Sequence, residues 1–181
     1  GAGTLLTSAQ CLLHPNRNPS LTKEEVEQRL REHLGVRHIL WLGEGVEGDD
    51  TDGHIDDITR FVNPTTVVTV LEDDRKDRNH EPLLENLRRL RAMADQDGRP
   101  LEVLTLPMPG TVKAGDGRRL PASYANFYIA NACVCVPVFG HANDAKALRV
   151  LRRCFPGRRL VPIRAERLVE GMGTLHCISQ Q

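Results

Sequence analysis

Several things that would narrow the function of this chain at once are missing from it. It has no net charge: 24 basic residues balance 24 acidic ones, so nothing calls for a nucleic acid or an anionic membrane surface as partner. It has no long apolar run of the length that a bilayer-crossing helix needs, and Gly1-Ala2-Gly3-Thr4 has no signal-peptide layout. It also has no even set of cysteines. Five in 181 residues is an odd count in a chain too large to depend on disulfide staples, which points to free thiols in a reducing, cytoplasmic setting. Cys133 and Cys135 lie two apart in an apolar run and read as strand neighbours packed in the core. No second Cys/His pair completes a zinc set around them. What remains, 40% hydrophobic and 27% charged residues, describes one globular domain.

What is present concentrates in Gly48-Asp49-Asp50-Thr51-Asp52-Gly53-His54-Ile55-Asp56-Asp57, where five carboxylates and a histidine fall within ten residues. The alternation after His54 predicts a strand to Val62, with His54 and Asp56 on one face. A histidine beside a carboxylate can move protons and hold a cationic group. A solvated acidic loop is the competing reading, since charge runs usually sit in water. A calcium loop is disfavoured, because Asp50-x-Asp52-Gly53 lacks the full spacing and the distal Glu.

Along the chain, residues 3–8 predict a short strand. Thr22 and Glu25 form a capping box opening a helix stapled by Leu21 and Val26, with Val26, Leu30 and Leu34 buried and Gly35 as the stop. Strands follow at 39–42 and 65–71, then a helix from Pro82 with Leu83, Leu87, Leu90 and Ala94 buried and Asp97-Gly98 as its end. A strand over 101–106 precedes an exposed, glycine-rich excursion from Pro107 to Pro121. Strands at 124–129 and 133–139 lead to a helix capped by Asn143, which buries Leu148, Leu151 and Cys154 and ends at Pro156-Gly157. A strand at 160–163 and a helical piece at 165–169 complete the order. The glycine stops at 35, 98 and 157 recur roughly every sixty residues, the mark of a repeat architecture with open sheet edges.

Cys177 follows Gly171-Met172-Gly173 and is expected in a terminal strand. Glycines leave room for a substrate to approach, and a nucleophilic thiolate needs a histidine or an electropositive setting. Adjacent strand residues point to opposite faces, so His54 is a better partner for Cys177 than His176. A plain buried thiol is the other reading.

The stretches Gly48–Asp57 and Gly171–Gln181, with Trp41-Leu42-Gly43, Pro15-Asn16-Arg17-Asn18-Pro19 and Ser123–Asn131, resemble the agmatine deiminase family, one of the guanidine-modifying penteins, along essentially the whole chain. The resemblance implies an α/β fold, part of a five-bladed α/β-propeller. Residues 1–181 would be its C-terminal portion, about three repeats of helix plus small mixed sheet, with the N-terminal blades and their Trp-x-Arg-Asp-x-Gly-Pro-type motif absent. It implies hydrolysis of agmatine to N-carbamoylputrescine and ammonia for putrescine biosynthesis, without metal or organic cofactor. Cys177 matches the nucleophile, His54 the general acid/base, Asp56 the guanidinium-gripping carboxylate, and Asp50 an acidic position that orients histidine or substrate. A guanidinium resists attack through its delocalisation, so a thiolate and paired carboxylates suit it. A bacterial-type peptidylarginine deiminase and a non-catalytic fragment or assembly partner, pairing as a homo-oligomer or through its open sheet edges, are the alternatives.

Overall fold

The computed structural model describes residues 2–180; Gly1 and Gln181 lie outside the described residues. Three units follow one another, each a parallel strand–helix–strand. In the first, β1 (Thr4–Ser8) pairs with β2 (His38–Leu42), with the short α1 (Ala9–Leu12) and then α2 (Lys23–Leu34) between them. The second is the sheet β3-β4-β5 (Thr59–Phe61, Thr66–Leu71, Glu102–Pro107), with α3 (His80–Ala92) linking β4 to β5. The third is β6-β7-β8 (Tyr128–Ile129, Cys133–Val138, Arg159–Arg164), with α4 (Asp144–Cys154) linking β7 to β8. In both three-stranded sheets the first pair is antiparallel and the second parallel. The parallel pairing demands a crossover, and the helix supplies it. The helices lie between sheets: α3 packs on β4 and β5 and also reaches β2, while α4 packs on β8 and β5. The sixty-residue recurrence is this unit.

Local signals explain most element ends. Thr22 accepts from the Glu25 amide while the Glu25 carboxylate accepts from the Thr22 amide, and Gly35 closes α2 in the left-handed conformation. Leu83, Leu87 and Leu90 are buried on α3 and Ala147 and Leu151 on α4. They join Val67, Val68, Val70, Val134, Val136 and Phe127 in the main core, while Val26, Ile39 and Trp41 form a smaller one under α2.

Several expectations are corrected. Leu34 is 58% exposed, because α2 packs through Val26 and Leu30 instead. α3 starts two residues before Pro82 and ends at Ala92, and Ala94 instead bridges to Pro100. Only Tyr128–Ile129 of the 124–129 run is strand, since Tyr124–Phe127 is buried loop. Cys133 and Cys135 do share a face of β7, but Val134 and Val136 take the core and the cysteines stay half-buried. The excursion begins inside β5, which includes Pro107; from Met108 to Pro121 the described residues form no named helix or strand, yet Met108 and Leu120 anchor the segment in the core. The helical piece is a single 3-10 turn at Leu168–Gly171.

Candidate functional site

The acidic stretch is held by its first aspartate. Asp49 Oδ1 accepts from the Thr51 amide at 2.8 Å, and Oδ2 accepts from the Gly53 and His54 amides at 2.9 and 3.0 Å. Asp49 is therefore spent on shaping the loop. The rest is pinned from outside: Asn86 accepts from Gly43 N and donates to Glu44 O, Gln10 accepts from Gly45 N, and Asn79 accepts from Glu47 N. Gly45 and Gly53 cross so closely that a Cβ on Gly45 would lie 2.4 Å from the Gly53 Cα, and Gly53 has φ +82°. Side chains are excluded there by contact and by backbone conformation together.

Beyond His54 the chain makes a 3-10 turn, Ile55–Asp57, and only then the strand β3. This corrects the expected strand from His54 to Val62. His54 and Asp56 still meet, His54 Nδ1 lying 4.0 Å from Asp56 Oδ1. Asp57 turns inward instead of outward, and both aspartates are buried.

Cys177 sits in a terminal turn, with Ile178 N bonded to Thr174 O and Ser179 N to His176 O. That corrects the expected strand, and with it the strand-face argument that ranked His176 below His54 as partner of Cys177. In a turn, neighbouring side chains need not oppose, and His176 Nδ1 lies 2.6 Å from Asp56 Oδ2. Cys177 Sγ lies 3.4 Å from the same carboxylate oxygen. Gly173 makes room for the thiol, since a Cβ there would fall 2.9 Å from Sγ.

One residue that sequence reasoning missed holds these pieces together. Asn126, fully buried, accepts through Oδ1 from Thr174 Oγ1 and from the His176 and Cys177 amides. Its Nδ2 faces three acceptors, Asp56 Oδ2 at 3.2 Å, Asp57 Oδ1 at 3.0 Å and Cys177 Sγ at 3.0 Å. Two N–H groups cannot serve three acceptors fully at once. The only signal in the sequence was its place within the Ser123–Asn131 motif. Arg60 was missed as well. It donates to Phe127 O at 3.0 Å, stacks on the Phe127 ring, and its half-buried cation interacts with the charges of Asp56 and Asp57.

The charges follow from these contacts. Burial by itself would raise Asp56, but the hydrogen bond and charge of His176, the Cys177 thiol and the nearby His54 outweigh it and hold the carboxyl below its ordinary value. Asp57 goes the other way: burial, then the Asp56 and Asp49 carboxylates, push it well above the usual range. Cys177 is exposed by surface area, yet its sulfur is crowded. Burial and the carboxylates of Asp57 and Asp56 push the thiol up to about 11, against the pull of Asn126. The site thus favours an ionised Asp56 beside an Asp57 and a Cys177 whose charged forms are disfavoured.

Asp50, Thr51, His54, Asp56, Met172, His176 and Cys177 line one cavity of about 510 Å³. All four residues singled out in the sequence reach it. Asp50 does so as an exposed side chain, without a hydrogen bond to His54 among the described residues. Asp56, Asp57 and Cys177 bring ligand-type atoms within 4.8 Å of one another. With the charged forms of Asp57 and Cys177 both disfavoured, that set is a poor metal cage. It is better suited to a planar organic cation lying on Asp56 beside a thiol.

Small α/β units presenting a cysteine, a histidine and a buried carboxylate around one cavity define a cysteine-centred α/β protein. The chain belongs to the Porphyromonas-type peptidyl-arginine deiminase family, whose model matches residues 1–181. A Legionella pneumophila (strain Paris) relative, provisionally named agmatine deiminase, is 42% identical over 182 residues, covering 100% of this chain and 52% of its own length. Among solved structures, the agmatine deiminase of Enterococcus faecalis matches with a TM-score of 0.93 at 36% identity, over 99% of this chain and 53% of that one. The C. jejuni agmatine deiminase solved with substrate bound matches at 0.89 and 34%, over 97% and 51%. The chain thus spans about half the length of the relatives it matches. Among the described residues no helix is long and apolar enough to cross a membrane.

Proposed function

We propose that the protein to which these residues belong hydrolyses a guanidine C–N bond, converting agmatine to N-carbamoylputrescine and ammonia through an amidino-cysteine on Cys177. One observation carries the reading: the Cys177 sulfur lies 3.4 Å from the ionised Asp56 carboxylate, on a cavity that His54 also lines. The carboxylates that would grip a cation also add to burial in raising the pKa of the Cys177 thiol. A bound guanidinium cancels that field and favours the thiolate where its carbon lies.

The steps then balance. Cys177 passes its proton to His54, and the sulfur bonds to the guanidinium carbon. The C–N bond breaks as His54 returns the proton to the departing ammonia. Water, giving a proton to His54, attacks the amidino carbon. The C–S bond breaks as the O–H proton of the adduct passes to the departing sulfur, giving the ureido product and the Cys177 thiol, and His54 releases its remaining proton to solvent, which accounts for the charge of the starting guanidinium. Asp56 holds the planar cation through charge-assisted hydrogen bonds, and Asp50 at the cavity rim orients substrate or histidine. This chemistry asks for no metal or organic cofactor. We place the reaction in cytoplasmic putrescine biosynthesis and the three units within a five-bladed α/β-propeller, whose remaining blades would pair with the open sheet edges here.

The family's description favours a second substrate, the arginine side chain of a peptide, and one assay separates the two. The 181-residue chain and a full-length form are each incubated with agmatine and with an arginyl peptide, and ammonia is measured with Cys177→Ala as control. Release from agmatine, lost in the variant, is the expected result for the full-length form. Release from the peptide alone would overturn the agmatine assignment. Turnover by neither form, from folded samples, would overturn deimination and leave a non-catalytic assembly partner.

A further inference from the structure

The loop between α1 and α2 is a compact turn that reaches the acidic stretch at two points. Arg17 N and Asn18 N both bond to His14 O, and Asn18 Nδ2 donates to Leu12 O at 2.8 Å. From this turn His14 Nε2 lies 3.4 Å from Asp52 Oδ1. Arg17 Nη2 donates to Thr51 O at 3.0 Å and lies 3.2 Å from His54 Nε2. The Pro15–Pro19 motif thereby delivers one guanidinium to Nε2 of the candidate acid/base, the ring nitrogen other than the one that meets Asp56.

A guanidinium has donors and no acceptor. The Arg17 contact therefore requires a lone pair on His54 Nε2, so the ring proton sits on Nδ1, the nitrogen facing Asp56 Oδ1 at 4.0 Å. The remaining charged groups around the ring, Asp49 at the His54 amide and Asp50 across the cavity, make no contact with Nε2. We propose that Arg17 is a positioning residue that holds His54 in the Nδ1–H tautomer while the site is empty, and that it leaves Nε2 when His54 takes up a proton. An imidazolium has donors at both nitrogens, so once His54 is charged two donors would meet at 3.2 Å. Arg17 can let go of the ring and keep Thr51 O. That His54 is the acid/base rests on the proposed function, whereas the tautomer does not.

The test is a nitrogen-detected ring spectrum of the ¹⁵N-histidine-labelled chain above the titration range of histidine, without substrate. The structure supplies internal references. His80 Nδ1 faces the Glu72 carbonyl at 2.7 Å and must carry its proton there, and His14 Nδ1 accepts from the Asn16 amide and must carry its proton on Nε2. His54 is expected to match His80. In Arg17→Ala it should shift towards the His14 pattern while His80 stays unchanged, which also reports that the fold is intact. Arg17→Lys, with a compact ammonium that cannot fork between Thr51 O and His54, should give a mixture. A wild-type His54 with its proton on Nε2, or an unchanged tautomer in Arg17→Ala with the His80 signal intact, would overturn the inference whatever the turnover assays give.

Discussion

Replacing Asp56 with asparagine removes a negative charge 3.4 Å from the Cys177 sulfur, and two readouts should then move in opposite directions. At that separation the repulsion between carboxylate and thiolate is about 1 kcal/mol in bulk water and about 5 kcal/mol at the effective dielectric of a half-buried site. Because the cavity is open and His176 partly offsets Asp56, a fall in the thiol pKa of about 1 to 3 units is the reasonable range. The loss of the Sγ–H to Asp56 bond acts in the same direction. A thiolate of lower pKa is also a weaker nucleophile, which cancels about half of the gain on a logarithmic scale. At pH 8 the Asp56→Asn chain should therefore react with iodoacetamide about 3 to 30 times faster than wild type. The rate is read as alkylated Cys177 peptide by mass spectrometry, with Cys177→Ala as background. Turnover of a guanidine by the full-length form should instead fall about 100-fold or more, because the cation loses its charge-assisted grip. Alkylation that is slower than or equal to wild type would refute the claim that Asp56 suppresses the thiolate.

Two further substitutions probe the buried polar cluster. Asn126→Ala removes the amide that joins Asp56 and Asp57 to the 174–177 turn, and with several buried hydrogen bonds lost it should lower unfolding free energy by about 3 kcal/mol in urea. A loss below about 1 kcal/mol would show that the bonds are not made in solution. Asp57, with its folded pKa raised by burial and neighbouring carboxylates, binds its proton more tightly folded than unfolded. It therefore costs stability as pH rises from the ordinary aspartate range through its folded value. Asp57→Asn should thus gain on wild type in melting temperature as pH rises above the ordinary aspartate range, and a parallel pH dependence for the two proteins would exclude the upward shift.

What the sequence discloses here depends on distance along the chain. The Thr22–Glu25 capping box, the glycine stop at residue 35 and the leucine stripe of α3 depend on neighbours within a turn or two, and all are read directly. The acidic stretch and Cys177 are visible because their residue types are chemically unusual together. Their geometry is not visible. The alternation after His54 fits a strand, but Asp56 and Asp57 are drawn into a 3-10 turn by Asn126, some seventy residues away, and Asp56 also by His176, 120 residues away. For the same reason strand alternation misplaces His176: the rule holds for strands, and long-range bonds hold this segment as a turn. On β7 the alternation of Cys133, Val134, Cys135 and Val136 defines two faces, but only the packing of the third sheet says which one is inside.

Asn126 has a consequence for the way the molecule could be used. Its bonds tie the last turn of the chain to the residues that precede the second sheet, so the thiol acquires its surroundings only when the second and third units are docked. The 108–121 segment lies between those units and holds none of the named helices or strands. A chain divided within it would carry His54 and Asp56 on one piece and Asn126 and Cys177 on the other. Labelling of Cys177 would then serve as a reporter of fragment complementation, with association read directly from the chemistry of a single sulfur atom.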